Sequence, residues 1–186
     1  VEQAASENDL VYVFVVNTDA SLFTTEERFQ LVKDGTVDLD NVIVVNGGDY
    51  MVSYATFPAY FLASPDQAVT YQTTLDARIF RNVIAPALNI TTRYVGSEPL
   101  SRTTSIYNDV LTRELPPAVE VKVIDRDQTL TSDHQVITAT QVRQFIKKGE
   151  ISSLTAFVPE TTAQFIQNHL TTLQKRIQEG MNIDGN

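Results

Sequence analysis

The chain alternates two hydrophobic patterns. Short, unbroken apolar runs rich in β-branched residues occur at Leu10–Val16 (LVYVFVV), Asn41–Asn46 (NVIVVN), Thr92–Gly96 (TRYVG) and Val119–Ile124 (VEVKVI). Runs of this length predict strands, the first of them buried on both faces as in a parallel sheet. Between them the pattern turns helical. Thr24 and Glu27 have capping-box spacing, which predicts a helix over TEERFQLVKD with Phe29, Leu31 and Val32 inward and Gly35 as its stop. Ser64 and Pro65 open a long predicted helix reaching Leu88, with Leu75, Ile79 and Val83 at helical spacing and Pro86 kinking or ending it. Ser101–Leu115 is a further helix, stopped by Pro116 and Pro117. Thr138 caps a helix over Ala139–Lys148, ended by Gly149. Val1–Asn8 reads as the last turns of a helix, Leu154–Val158 and Ala163–Glu179 as two closing helices, and MNIDGN as a frayed end. This strict strand–helix alternation predicts an α/β fold with a doubly wound, mostly parallel sheet. Residues 1–150 would form its core and 151–186 its closing helices.

Charge and composition narrow the chemistry. The 186 residues carry a formal net charge of −9 and no cysteine. An acidic surface repels phosphate backbones, so nucleic-acid binding is not expected. Thiolate metal sites, disulfides and thiol nucleophiles are excluded, which fits a cytoplasmic location. No apolar run has the length to cross a bilayer, so no membrane partner is expected. His134 lies in a polar stretch and His169 among polar neighbours, without a second histidine at i+4, so no metal site is expected. Neither G-x-G-x-x-G nor a P-loop pattern occurs.

Ligands of open parallel sheets bind beyond the carboxyl ends of the strands, which singles out four segments. After the first strand, Arg28 sits in the first turns of a helix, where it either faces an anion or pairs with Glu26 or Glu27. After the second come Gly47, Gly48, Asp49, Tyr50, Ser53, Thr56 and Phe57, either a ligand-facing loop or a plain turn. After the third, Gly96 and Glu98 suit a ribose, or a turn with a surface carboxylate. After the fourth, Thr138 and Thr140 open a helix with Arg143 one turn inside, the most specific local signal for an anion.

Several stretches, in order, resemble the C-terminal catalytic domain of citrate lyase ligases, within the nucleotidyltransferase superfamily. They are SLFTTEERFQLVKDGT (21–36), GGDYMVSYATFPAYFL (47–62), LDARIFRNVIAPALNITTRYVGSEP (75–99), TSIYN (104–108) and VPETT (158–162). ITATQVR (137–143) is similar to that superfamily's ISx(S/T)xxR signature, with Thr138 and Thr140 supplying the hydroxyls. The resemblance implies a Rossmann-like sheet of the nucleotidyltransferase type. It implies a reaction in which ATP and Mg²⁺ activate acetate as acetyl adenylate. The acetyl group then passes to the CoA-derived prosthetic thiol of the citrate lyase acyl carrier subunit. On that reading Arg143 and Arg28 are the catalytic cations, with Thr138, Thr140 and Arg143 on the phosphates and Gly96 and Glu98 on the adenosine side. Asp49, Tyr50, Ser53, Thr56 and Phe57 face the acyl group or carrier arm. The alternatives are a nucleotidyltransferase that adenylylates a cofactor precursor, a non-catalytic module that binds nucleotide or carrier, and a plain α/β interaction domain. The family carries an HxGH or TxGH phosphate clamp after its first strand, whereas this sequence opens with VEQAA, similar to the helix that follows the clamp. The expectation is therefore a sheet lacking its first strand, little ligase activity for the chain alone, and a homo-oligomer or rearranged sheet, since an empty central slot exposes two apolar edges.

Overall fold

A computed structural model of the chain describes residues 1–17, 21–53, 55–56, 66–97, 101–125, 138–181 and 183. They fall into two compact units, Val1–Asn46 with Thr129–Gly185, and Gly47–Gln128.

In the first unit, helix α1 (Glu2–Glu7) leads into strand β1 (Val11–Val15), helix α2 (Thr25–Asp34) and strand β2 (Val42–Asn46). The strands pair in parallel, Val11 opposite Val42 through Val15 opposite Asn46. A parallel pair needs a crossover, and α2 supplies it. Asn41, just before β2, donates its side-chain amide to the carbonyls of Ala5 and Asn8, tying the end of α1 to the sheet. The capping box of α2 forms as its sequence predicts: Glu27 N–H donates to Thr24 Oγ1 and Thr24 N–H to Glu27 Oε2. Gly35 ends α2 with ordinary negative φ; a side chain there would crowd Leu31 O at 3.1 Å and Pro159 at 3.4 Å, so close approach demands this glycine.

The unit is closed by its C-terminal helices. Between β2 and those helices the chain builds the second unit, which holds α3 (Asp66–Ile79), a π-helical turn (Phe80–Ile84), α4 (Ala85–Ala87), β3 (Thr92–Gly96), α5 (Arg102–Glu114) and β4 (Glu120–Ile124). Then follow α6 (Ala139–Lys148), a 3-10 turn (Ile151–Ala156), α7 (Glu160–Asn168) and α8 (Leu170–Gln178), back in the first unit. Their apolar faces make its core: Leu22, Val142, Ile146, Leu154, Ala163, Ile166 and Leu173. Gly149 takes a left-handed conformation (φ 76°) and Glu150 N–H reaches back to Phe145 O, which stops α6. In the second unit β3 and β4 pair in parallel, Thr92 opposite Glu120, with α5 as crossover packed on α3.

The structure corrects several expectations. The mixed α/β class and the parallel pairing agree with the sequence; among the described residues the strands pair as β1 with β2 and β3 with β4, short of one doubly wound sheet. The strand runs are not buried on both faces: in β1 only Val15 is buried, and Ile43 of β2 and Val123 of β4 are exposed. A two-stranded sheet offers each strand one neighbour, so its apolar run outgrows its cover. The long helix is not one α-helix. Pro86 has no N–H for an i→i−4 bond and its ring crowds the preceding turn, and the chain widens just before it, with Ala85 N–H bonded to Phe80 O. Leu75 and Val83 are exposed; the buried face is Val69, Thr73, Asp76, Ala77 and Phe80. The closing stretch after Ala163 breaks at His169, whose ring stacks on Phe165 at 4.2 Å. The ring nitrogen Nδ1 and the backbone N–H of His169 both lie within bonding distance of Phe165 O; a carbonyl only accepts, so Nδ1 carries the proton. In place of a helix over Leu154–Val158, a 3-10 turn spans Ile151–Ala156. Ile183 in the tail is buried, where fraying was expected.

One ion pair joins the closing helices to the start of α2. Arg176 on α8 donates to both oxygens of Glu27, at 2.6 and 3.0 Å, and to Leu22 O. Burial pushes the Glu27 carboxyl up, but the hydrogen bond from Arg176, the Thr24 N–H and the guanidinium charge outweigh it and hold the carboxyl below its ordinary value. A depressed carboxyl contributes stability above its unfolded pKa and loses it as pH falls through the folded one. Arg176→Ala is therefore expected to cost about 2 kcal/mol near neutral pH. Its deficit against wild type should shrink on acidification to about pH 3, below the ordinary glutamate pKa. Urea unfolding of both proteins at the two pH values checks this; a deficit that does not change with pH contradicts it.

Candidate functional site

The start of α6 is built as expected for an anion-facing helix end. Thr138 Oγ1 accepts from Gln141 N–H at 3.2 Å, and the Gln141 side chain accepts from Thr138 N–H at 2.9 Å. The Ala139 and Thr140 N–H groups precede the first intrahelical donor, Val142 N–H to Thr138 O, so they point out of the helix end. Arg143 donates through Nη2 to Thr140 Oγ1 at 3.2 Å and through Nε to Ile183 O at 2.9 Å. Thr138, Thr140 and Arg143 thus form one cluster. The Ile183 carbonyl and the Thr140 hydroxyl fix the guanidinium beside the helix start. His134 lies outside the described residues.

Arg28 binds the segment between β1 and α2. It donates to Ser21 Oγ (2.5 Å), Phe23 O (2.6 Å), Val16 O (2.8 Å) and Thr25 Oγ1 (3.2 Å). Its contacts span the connection from β1 to α2, and Glu27, its suggested partner, pairs with Arg176 instead.

The loop after β2 divides its candidates. Asp49 and Tyr50 are exposed, Tyr50 at 69%. Ser53 and Thr56 are buried and turned inward: Ser53 Oγ donates to Asp49 O at 2.6 Å and accepts from Ala55 N–H. Phe57 lies outside the described residues. Behind this loop sits Asp76 of α3, 1% exposed, the residue sequence reasoning missed. Its Oδ1 accepts from Val52 N–H at 2.7 Å and Thr56 Oγ1 at 3.3 Å, and its Oδ2 from the Tyr107 hydroxyl at 2.8 Å. Val52 has φ 45°, a left-handed conformation that costs a β-branched residue strain; its bond to Asp76 helps hold it there. Arg93 of β3 extends the chain, donating through Nη2 to the Tyr107 oxygen at 2.8 Å. Burial pushes the Tyr107 hydroxyl far above its ordinary value, so it keeps its proton as the donor to Asp76. Arg93 lies 4.3 Å from the centre of the Phe80 ring, and its Nη1 is buried without a hydrogen-bond partner; cation–π attraction offsets part of that loss. A charged residue on the buried face of a helix, in step with Val69, Thr73 and Phe80, was the signal for Asp76.

At the end of β3, Gly96 has open space where a side chain would stand, and its carbonyl accepts from Asn108 Nδ2 at 2.8 Å. Ser97 Oγ donates to Asp125 Oδ1 at 3.1 Å. This leaves room for a ligand against the backbone at the strand's carboxyl end. Glu98 lies outside the described residues. Among the described residues no cluster of three acidic or histidine side chains is placed to hold a metal, and no helix is long and apolar enough to cross a membrane.

Known proteins are similar along most of this chain. The family model described as the citrate lyase ligase C-terminal domain matches residues 1–166. A citrate (pro-3S)-lyase ligase of Escherichia coli K12 is 36% identical over 176 residues, 91% of this chain and 49% of its own length. Proteins of the same name from Haemophilus influenzae and Klebsiella pneumoniae are 37% and 36% identical over 90% and 89% of the chain. The chain spans about half the length of the curated relatives it matches.

Asp76→Ala would leave the Tyr107 hydroxyl, the Val52 N–H and the Thr56 hydroxyl without their shared acceptor. Each buried donor left unsatisfied costs about 1–3 kcal/mol, so the substitution is expected to destabilise the protein by at least about 3 kcal/mol. Asp76→Asn, which keeps an acceptor oxygen, should cost less. Denaturant melts of both variants check the order, and limited proteolysis should find Gly47–Thr56 opened in Asp76→Ala.

Proposed function

The chain belongs to the citrate lyase ligase C-terminal domain family, and on that membership we propose that it is the nucleotide-handling part of an ATP-dependent ligase that activates citrate lyase by acetylation. The match of the family over residues 1–166 carries the reading. In the first half-reaction an acetate oxygen attacks the α-phosphorus of ATP, and the bond to pyrophosphate breaks to give acetyl adenylate. In the second, the prosthetic thiol of the acyl carrier subunit attacks the acetyl carbon and AMP leaves, the thiol proton passing to solvent. Both steps need positioning and neutralisation of developing negative charge more than covalent help from the protein.

The α6 cluster fits the phosphate role. Two outward N–H groups, the Thr140 hydroxyl and the Arg143 guanidinium lie together at the helix start, where donors and the helix dipole favour an anion, and Thr138 shapes that start as its cap. Arg28, with its guanidinium spread over four acceptors, serves best by holding the loop between β1 and α2 in shape. In the second unit, Gly96 and Glu98 are assigned to the adenosine side, where the open space beside Gly96 admits a ligand. Asp49 and Tyr50 reach solvent and suit the acyl or carrier-arm side; Ser53 and Thr56 support them from within. Mg²⁺ would arrive on the nucleotide phosphates and neutralise their charge, as no protein ligand for it is assigned.

Calorimetric titration of this chain with ATP–Mg²⁺ is expected to show binding that Arg143→Ala weakens at least about tenfold, or 1.4 kcal/mol. Pyrophosphate release by the protein that carries this chain is expected to depend on acetate. Release that depends on a nucleotide acceptor instead of acetate would replace this reading by nucleotidyl transfer. Nucleotide binding without any release would make the protein a binding module.

A further inference from the structure

Helix α3 and its π-helical extension bury one face and leave the other apolar but uncovered. Tyr71, Leu75 and Val83 are 78%, 50% and 62% exposed, three of the nine large hydrophobic residues most open to solvent among the described residues. They are not displaced core residues, because the opposite face, from Val69 through Thr73, Asp76 and Ala77 to Phe80, already fills the interior. The π turn matters here. In a continuous α-helix Val83 would rotate away from the line of Tyr71 and Leu75. The wider turn over Phe80–Ile84 holds the rotation back and brings Val83 onto the same ridge.

The charge around this ridge runs against the rest of the protein. The chain as a whole is at −9, yet between Gln67 and Ala87 its sole carboxylate is Asp76, which is buried. Arg78 stands on the ridge, 57% exposed, and Arg113 beside it is 60% exposed; the two flank Glu114, at 2.9 and 3.3 Å, whose side chain is only 13% exposed. Arg81 donates to the Glu114 backbone carbonyl at 2.6 Å. Two arginines thus share one carboxylate, and a third binds the backbone beside it, next to an exposed apolar ridge. Apolar centres rimmed by arginine are what protein–protein contacts select, and isolated exposed ridges otherwise carry a solubility cost.

We propose that this ridge docks an acidic surface of a partner protein, which on the function proposed above is the acyl carrier subunit. Tyr71, Leu75 and Val83 would bury apolar side chains of the carrier, while Arg78 and Arg113 meet its carboxylates and steer its approach. A second copy of this chain is disfavoured because like ridges would set arginine against arginine. The assignment deepens the ligase reading and rests on it for the identity of the partner.

The test is calorimetry of this chain with the citrate lyase acyl carrier subunit, using wild type, Leu75→Glu, Val83→Glu and Arg78→Glu, with Lys33→Glu on the other unit as control. The replaced side chains are exposed, and circular dichroism melts verify that each variant is folded. The expected result is at least tenfold weaker binding for the three ridge variants, no change for the control, and wild-type affinity that falls with added salt. Wild-type affinity in the ridge variants, or no binding by the wild type, overturns the docking surface. So does light scattering that shows a dimer dissolved by Leu75→Glu. Acetate-dependent pyrophosphate release does not require the carrier and is measured in parallel. If it is present while the ridge variants bind normally, the docking surface fails and the ligase reading stands; if it is absent while the ridge governs carrier binding, the reverse holds.

Discussion

A parallel pair of five-residue strands cannot stand by itself, and this constraint shapes both units. Its strands require a crossover helix, and the pair alone offers too little hydrophobic surface to hold that helix down. Each unit meets the requirement differently. The first wraps its pair and α2 with helices that arrive from the far end of the sequence, joined by a continuous apolar cluster from Leu22 to Leu173. The second lays α3 and α5 together and places a carboxylate between them.

The candidate chemical groups depend on these supports. Asp76 converts the Gly47–Thr56 loop from a flexible turn into a shaped one, by accepting from a strained Val52 and from Thr56 while Tyr107 and Arg93 complete the chain of donors behind it. Arg28 does the same for the loop after β1, and Arg176 pins the capping box that starts α2. The loops that follow β1 and β2 are thus each organised by a charged side chain from a helix. The exposed groups, Asp49 and Tyr50 on one loop, owe their presentation to side chains that never reach solvent.

Family membership and site geometry inform the function at different levels. Membership comes from motifs spread along the sequence and supports an activity of the citrate lyase ligase type. The geometry adds where the candidate side chains stand. Arg143 keeps its place beside Thr140 at a helix start, whereas Ser53 and Thr56, equally prominent in the sequence, are spent on internal bonds. The exposed ridge of α3 belongs to neither loop and sets apolar side chains beside arginines, which is why it reads as a contact surface.

The elements governed by local rules were legible in the sequence. β3 spans Thr92–Gly96 and α6 spans Ala139–Lys148 as expected, because caps, glycine stops and β-branched runs act within a few residues. The capping box at Thr24 and the cap at Thr138 are likewise legible, while the reciprocal bond from Thr138 N–H to the Gln141 side chain appears only in the structure. Long-range choices were not legible. Which strands pair depends on neighbours far along the chain, and the sheets came out as two pairs. Which face of α3 turns inward was decided by Asp76 finding Tyr107 and by the wide turn before Pro86, so the apolar positions Leu75 and Val83 went outward against their pattern. A hydrophobic pattern states that a side chain prefers burial; whether a surface exists to bury it is settled only when the rest of the chain has packed.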